Sequence, residues 1–457
     1  MTTIVLDPVT RIEGHLRIEL DVKGGVISQA RSSGTSFRGF ENLLRGRDPW
    51  DAAHITQRVC GVCPIPHARA ACEAFEQAAG VTVNHQARLI RNIVHAANFV
   101  DSHLLHFYAF ALPDYVAGLP TAVGWPQGKP PRAWKGGEQL DVAALAEHVA
   151  MSLRIRRARH EVITALAGKM PHAAGIIPGG ATVQPTDQEL TELEALASQV
   201  RAFVDGPYSE DVIALAATFP AYQELGASAV ALLAYGAFPA ADDQLLLPGG
   251  LLPPEAVVAL SVDPSVITES TASARYAVAP PIHPANGLTE PALDRTDAYS
   301  WIKAPRILGY PCEVGPLARA VLSGRDSGGR GVMARHRARQ GEASILAASI
   351  QTWLAELSPG ISALVSFPDT APTGAGAGLT EAPRGALGHW VAIEDSLVSH
   401  YGIVSPTTWN ASPRDENGAA GPIERSLEGV ALADISDPIE AVRIIHSFDP
   451  CLQCAVH

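Results

Sequence analysis

The sequence predicts an α+β chain that is mainly α: a core bundle of long helices with a small β region at the N-terminus. Three observations predict it. Four long stretches carry apolar residues three and four apart. Residues 16–36 alternate as strands do, around a Gly24-Gly25 turn. Two C-x-x-C pairs stand near opposite ends of the chain, and if they share an ion the ends must fold together. Residues 1–457 then form one interlocked domain rather than beads on a linker.

In the strand region Leu16, Ile18, Leu20 and Val22 fall on one face. The first helical stretch places Ile90, Ile93, Ala97, Val100, Leu104 and Phe107 on one stripe. A second runs from about Leu145 through Val149 and Leu153 toward Leu166. The third opens with Thr186 and Glu189 spaced as a capping box and continues through Leu190, Leu193, Leu196, Val200 and Phe203. The fourth carries Leu346, Ile350, Trp353 and Leu357. Such stripes turn inward in a bundle. Proline- and glycine-rich segments at 118–137, 247–254 and 370–388 punctuate the rest, without an internal repeat or a charge block.

Composition sets the class. Hydrophobic residues at 47% against charged residues at 18% exclude disorder as the main state. A formal charge of −13, with no run of Lys and Arg to offset it, argues against a nucleic-acid or acidic-membrane surface. The longest apolar stretch, 245–260, is broken by Pro248, Pro253 and Pro254, so no transmembrane helix is expected. Residues 1–8 lack the basic and apolar regions of a signal peptide, so export would need a signal on another chain.

Six cysteines are too sparse for a disulfide scaffold, and four of them make the pairs Cys60/Cys63 and Cys451/Cys454. A C-x-x-C turn aims two sulfurs at one ion, and two turns make a four-thiolate site. A zinc ribbon would put its second pair about 15–20 residues after the first, and a thioredoxin-like motif would leave one pair idle. Cys72 sits at helical spacing from Ala68, Phe75 and Ala79 and reads as core; Cys312 has no cysteine neighbour. Two remaining cysteines cannot hold an iron–sulfur cluster, so electrons must leave through another protein.

The stretches around the cysteines carry a resemblance. Arg58-Val59-Cys60-Gly61-Val62-Cys63-Pro64-Ile65-Pro66-His67 resembles the R-x-C-G-x-C-x-x-x-H motif of nickel–iron hydrogenase large subunits. Asp449-Pro450-Cys451-Leu452-Gln453-Cys454-Ala455-Val456-His457 resembles their D-P-C-x-x-C-x-x-H motif. Residues 7–15, 299–319, 381–390 and 406–415 agree as well, in family order along the whole chain. The resemblance implies the nickel–iron hydrogenase large-subunit fold and reversible heterolytic cleavage of dihydrogen. It also implies nickel held by four thiolates, two of them bridging to an iron with carbon monoxide and two cyanide ligands. Soft thiolates suit such a centre.

Carried over, Cys60 and Cys451 would be terminal nickel ligands, and Cys63 and Cys454 would bridge to iron. A helix starting near Pro66 would favour the Cys63 thiolate with its positive end. Dihydrogen is a very weak acid, so a base must stand near the metals. Glu13 matches the family's proton-gating glutamate; a salt bridge with Arg11 or Arg17 is its bland alternative. Arg384, after Pro383, matches the arginine over the metals that donates to one cyanide, and its several fixed donors suit that role. Thr407 matches the hydroxyl donor to the other cyanide, Asp449 the carboxylate that orients Arg384, and His67 the histidine bonded to the Cys454 sulfur.

Gly374, Gly376 and Gly378 are spaced as in a nucleotide loop, but no strand–turn–helix context supports that. Some family members carry an aspartate where this chain has Ser102, and the sequence leaves open whether Asp101 replaces it. His95, His103 and His106 could line a cluster-facing surface or be satisfied helix histidines.

The implied partners are an iron–sulfur small subunit in a heterodimer or higher oligomer, a maturation protease and nickel-insertion chaperones. A membrane-associated or periplasmic site through the small subunit's signal is expected, with a cytoplasmic one left open. The competing classes are a slow hydrogen-sensing regulatory hydrogenase and a metal-free electron-transfer scaffold, and the four cysteines speak against the scaffold. The sequence stops at His457, three residues after Cys454, where the family's precursor is normally cut. Both a processed chain and a product made without an extension fit. In the family the terminal histidine holds magnesium or a similar divalent ion, with a glutamate matching Glu41 and a backbone carbonyl matching Ile403. His457 is therefore expected to be buried.

Overall fold

The computed structural model describes residues 1–116, 119, 137, 139–287, 289–325, 328–368 and 372–457. Most of the proline-rich stretch 118–137 and the first residues of 370–388 lie outside the described residues.

Strands β1 (Thr2–Val9), β2 (Leu16–Lys23) and β3 (Val26–Gly34) form an antiparallel sheet in that order. Gly24 and Gly25 both have positive φ, as a two-residue hairpin turn requires. Leu16, Ile18 and Leu20 face the core, as their alternation predicts. β1 escapes sequence reading because it is a mostly exposed edge strand with no apolar alternation.

The long helices are α1 (Pro64–Ala79), α2 (His85–Leu105), α3 (Val142–Ala167), α4 (Asp187–Phe203) and α5 (Val332–Glu356). α2 and α4 each pack on both α3 and α5, closing the four-helix bundle that the apolar stripes predict. The Thr186–Glu189 capping box forms, with Glu189 Oε2 accepting from Thr186 N at 2.8 Å. α5 begins well before Leu346. Its first half buries Arg335, His336, Arg339 and Glu342, and these polar side chains hide the apolar period.

A second antiparallel sheet, unforeseen from the sequence, comprises β4 (Gly374–Ala382), β5 (Gly385–Glu394) and β6 (Leu397–Val404). It packs against α1, and here the spaced glycines find their use. A Cβ on Gly376 would lie 2.0 Å from the Ala74 carbonyl, and one on Gly378 would lie 1.9 Å from that of Ala70. Two strand residues advance ~6.8 Å and four helix residues ~6 Å, so the glycines keep step with Ala70, Ala74 and Ala78. Close strand–helix packing accounts for the glycine spacing, in keeping with the lack of a nucleotide-loop context. Gly378→Val is expected to lower the thermal midpoint by several degrees, because the sheet must lift off α1. An unchanged melting curve would contradict this packing.

One apolar cluster contains residues from Val9 to Val456, Cys72 among them. Among the described residues, no helix is long and apolar enough to cross a membrane.

Candidate metal centre

Cys60 follows a short turn, Gln57–Val59, and Cys63 is the residue from which α1 departs. At the other end of the chain, the helix Ile439–Ser447 leads to Cys451, and the turn Leu452–Ala455 carries Cys454. Arg38 fastens the two segments. Its guanidinium donates to the carbonyls of Val59 and Arg58 on one side and to that of Gln453, at 3.0 Å, on the other. Its sequence position carries no signal for this. The backbone at Glu13 lies against the second segment: Leu452 N donates to the Glu13 carbonyl at 2.7 Å. Gly14, at φ +85°, permits the approach, since a Cβ there would lie 2.9 Å from Gln453 N.

The four sulfurs are buried and lie within 4.8 Å of one another. Cys60 and Cys451 are 3.5 Å apart, Cys63 and Cys454 3.3 Å, Cys451 and Cys454 2.9 Å, and none is in a disulfide. With metal–thiolate bonds of about 2.3 Å, sulfurs around one ion sit up to ~4.6 Å apart, so a quartet within 4.8 Å of one another is close to the size of a single metal centre. The N–H groups of Val62 and Cys63 point at the Cys60 sulfur at 3.3 and 3.4 Å. Hydrogen bonds from the other three cysteines, with help from Arg384, hold the Cys60 thiol well below its ordinary range. Burial pushes Cys451 and Cys454 well above it. A cation is what allows all four to ionise together. Cys72 and Cys312 are buried elsewhere, and burial pushes both thiols up, which makes them inert.

Arg384 sits at the turn between β4 and β5. Its Nε donates to the Asp449 carbonyl at 2.9 Å and its Nη2 to Asp449 Oδ1 at 3.0 Å, as expected. Its Nη1 is buried and, among the described residues, has no hydrogen-bond partner. Arg319 braces the turn, donating to the carbonyls of Pro383 (3.0 Å) and Ala382 (3.2 Å) while paired with Glu342 and Glu381. Thr407 Oγ1 accepts from Cys451 N at 2.9 Å, which leaves its own proton to donate.

Glu13 has no salt bridge with Arg11 or Arg17. Arg11 pairs with Asp114, and Arg17 with Glu19 and Asp7. Burial, and then the charge of Cys60, raise the Glu13 carboxyl above its ordinary range. His67 Nδ1 meets His389 Nε2 at 3.1 Å, and burial lowers its pKa to about 4, so the ring is neutral. Asp101 does not stand in for an aspartate at position 102: it pairs with Arg159 and Arg156 on α3, and Ser102 Oγ is buried without a partner among the described residues. His103 bonds Glu342, His106 reaches the His446 carbonyl, and His95 packs beside Arg69 and Phe99. All three are interior histidines.

Glu41, Ile403 and His457 come together. Glu41 Oε1 accepts from Ile403 N at 2.8 Å and stands 3.6 Å from His457 Nε2. Ile403 enters this contact through its N–H rather than its carbonyl. His457 is buried, its Nδ1 2.5 Å from the Cys454 carbonyl, so it does not wave in solvent. Glu269, Lys303 and Thr289 complete the cluster, with Lys303 Nζ 3.3 Å from Glu41 and 3.4 Å from Glu269. Lys303 lies within the 299–319 block, but only the fold shows what it faces.

A family model described as nickel-dependent hydrogenase matches residues 38–122, 132–328 and 325–457, and one described as HoxL-like matches residues 3–37. The periplasmic NiFeSe hydrogenase large subunit of Desulfomicrobium baculatum is 38% identical, covering 99% of this chain and 94% of that protein. The hydrogenase-2 large chain of Escherichia coli K12 is 32% identical, with 99% and 97% covered. The structure of the reduced Ni-Fe-Se hydrogenase of Desulfovibrio vulgaris Hildenborough superposes with a TM-score of 0.93 at 37% identity, covering 100% of both chains. Two of these names carry selenium; in this chain all four donor positions are cysteine sulfur.

Proposed function

This chain belongs to the nickel-dependent hydrogenases as a catalytic large subunit with a four-cysteine nickel–iron site, and from that premise we propose how its residues divide the work. Cys60, Cys63, Cys451 and Cys454 would together hold the nickel–iron centre. When bound, the centre supplies the electron-pair acceptor for dihydrogen, with carbon monoxide and two cyanides on the iron. Two observations support the fit. The four sulfurs are packed to the size of one centre, and the unpartnered Nη1 of Arg384 remains free for a small anionic ligand. The Thr407 hydroxyl, which accepts from Cys451 N, would donate its proton to a second such ligand. Pro383 shapes the apolar wall beside it. Asp449 holds Arg384 in place, and His67 donates to the Cys454 sulfur.

Glu13 moves the proton. It is half-buried, free of ion pairs and near Cys60, and its raised pKa brings proton uptake and release closer to neutral pH. Glu41, Ile403 and His457 would hold a magnesium or similar divalent ion. There Lys303 faces two buried carboxyl groups, Glu41 and Glu269, and the Glu41 carboxylate beside His457 offers the oxygen donor such an ion takes. Such an ion would anchor the Cys451–Cys454 segment through His457. The whole chain acts as one unit, since ligands from both of its ends build the centre.

The family description of large subunit implies a small-subunit partner. We assign it the iron–sulfur clusters, because the two cysteines outside the quartet are buried and inert. The periplasmic relative supports an exported location carried by that partner.

The observation that carries this reading is the quartet of sulfurs from opposite ends of the chain. Metal analysis and infrared spectroscopy of the purified complex test it. Nickel in equal molar amount to the chain, a divalent ion beyond nickel and iron, and bands in the carbon monoxide and cyanide stretching region are expected. A loaded, active preparation without nickel or without those bands would overturn it.

A further inference from the structure

His67 ends a buried chain of three side chains. Tyr401 Oη lies 2.9 Å from His389 Nδ1, and His389 Nε2 lies 3.1 Å from His67 Nδ1. The three are exposed by 2%, 0% and 1% respectively, so water does not compete for these bonds. The fold builds the chain in two steps. Tyr401 on β6 pairs with Val391 on β5, two residues from His389 and on its face, which makes the contact a diagonal cross-strand one. α1 lies across this sheet, and His67 stands one helical turn beyond Cys63, on the same helix face.

The protons in such a chain are not free to choose. A neutral imidazole has one N–H and one lone pair, so the bond at one nitrogen fixes the other. Among the described residues, the Tyr401 hydroxyl has His389 as its hydrogen-bond partner. A buried phenol must donate, and burial keeps its proton in place by pushing its pKa far up. His389 then accepts at Nδ1 and carries its hydrogen at Nε2. That hydrogen is donated to His67 Nδ1, which leaves the His67 proton on Nε2. The opposite polarity would strand the phenol proton and turn a bare His67 lone pair toward the sulfurs.

We propose that Tyr401 and His389 are positioning residues that lock His67 as its Nε2–H tautomer, so that it presents a donor and never a lone pair to the Cys63–Cys454 thiolate pair. This rests on the reading that His67 donates to the Cys454 sulfur. A thiolate that accepts a hydrogen bond releases less electron density to its metals, so the relay sets the electronic state of the centre from a hydroxyl two residues removed.

Neutron diffraction of the deuterium-exchanged holoenzyme reads the proton positions directly. Deuterium on Nε2 of both His67 and His389, with both Nδ1 atoms bare, is expected; deuterium on either Nδ1 overturns the proposal. Infrared spectra of the nickel-loaded Tyr401→Phe, His67→Ala and double variants read the consequence. Each single variant is expected to move the carbon monoxide and cyanide bands to lower frequency, with no additional shift in the double variant. If His67→Ala moves the bands and Tyr401→Phe does not, the relay fails while the His67 reading stands. If neither moves them, the His67 reading fails and takes the relay with it. A Tyr401→Phe shift that persists in the His67→Ala background would make Tyr401 merely structural and would also overturn the proposal.

Discussion

Cys454→Ser is expected to yield folded protein with no bound nickel and no measurable hydrogen oxidation, and Cys60→Ser the same. The four sulfurs converge within 4.8 Å, so each is a donor the others cannot replace. A serine oxygen is harder and far less acidic than a thiol, and it suits neither nickel nor an iron that shares its ligands. Neither substitution opens a cavity, so the loss falls on the metal site rather than on the fold. Elemental analysis checks this: a full nickel complement in both variants would refute the four-thiolate assignment.

Glu13→Gln is expected to assemble its metals normally and to lose hydrogen turnover by roughly 10²–10⁴-fold, the range that a positioned proton carrier contributes. Gln keeps the side-chain shape but exchanges no proton near neutral pH. Among the described residues Glu13 forms no salt bridge: Arg11 pairs with Asp114 and Arg17 with Asp7 and Glu19, while Arg384 and Arg38 act on it only as nearby charges. Its contacts to the C-terminal segment run through backbone atoms, which the substitution leaves in place. Turnover measured beside nickel content separates the outcomes. Unchanged turnover with intact metals would mean that the proton leaves by another route.

Local pattern made much of this legible. The bundle helices were readable where their buried faces are apolar, as along Leu190, Leu193 and Val200, and unreadable where buried charge replaces them, as at Arg335 and Arg339. β4 is not legible as a strand because its glycines carry no alternating side chains, and only the packing on α1 shows what their spacing is for. The site residues fell in motif blocks, but the blocks did not say what each residue touches. Lys303, Arg319 and His389 stand inside those blocks and gained a role only from the fold.

The sequence by itself determined the donor chemistry: two C-x-x-C turns, a glutamate, an arginine, and a histidine one helical turn beyond Cys63. Those are properties of residue type and short spacing. Tertiary structure decided which groups meet across the chain. Arg38 ties the two cysteine segments together, Gly14 lets Glu13 lie against Leu452, Arg319 braces the Arg384 turn, and Tyr401 reaches His67 through His389. Each of these bonds joins groups far apart in sequence or on different elements, so its existence depends on the path of the whole backbone, which no local pattern encodes.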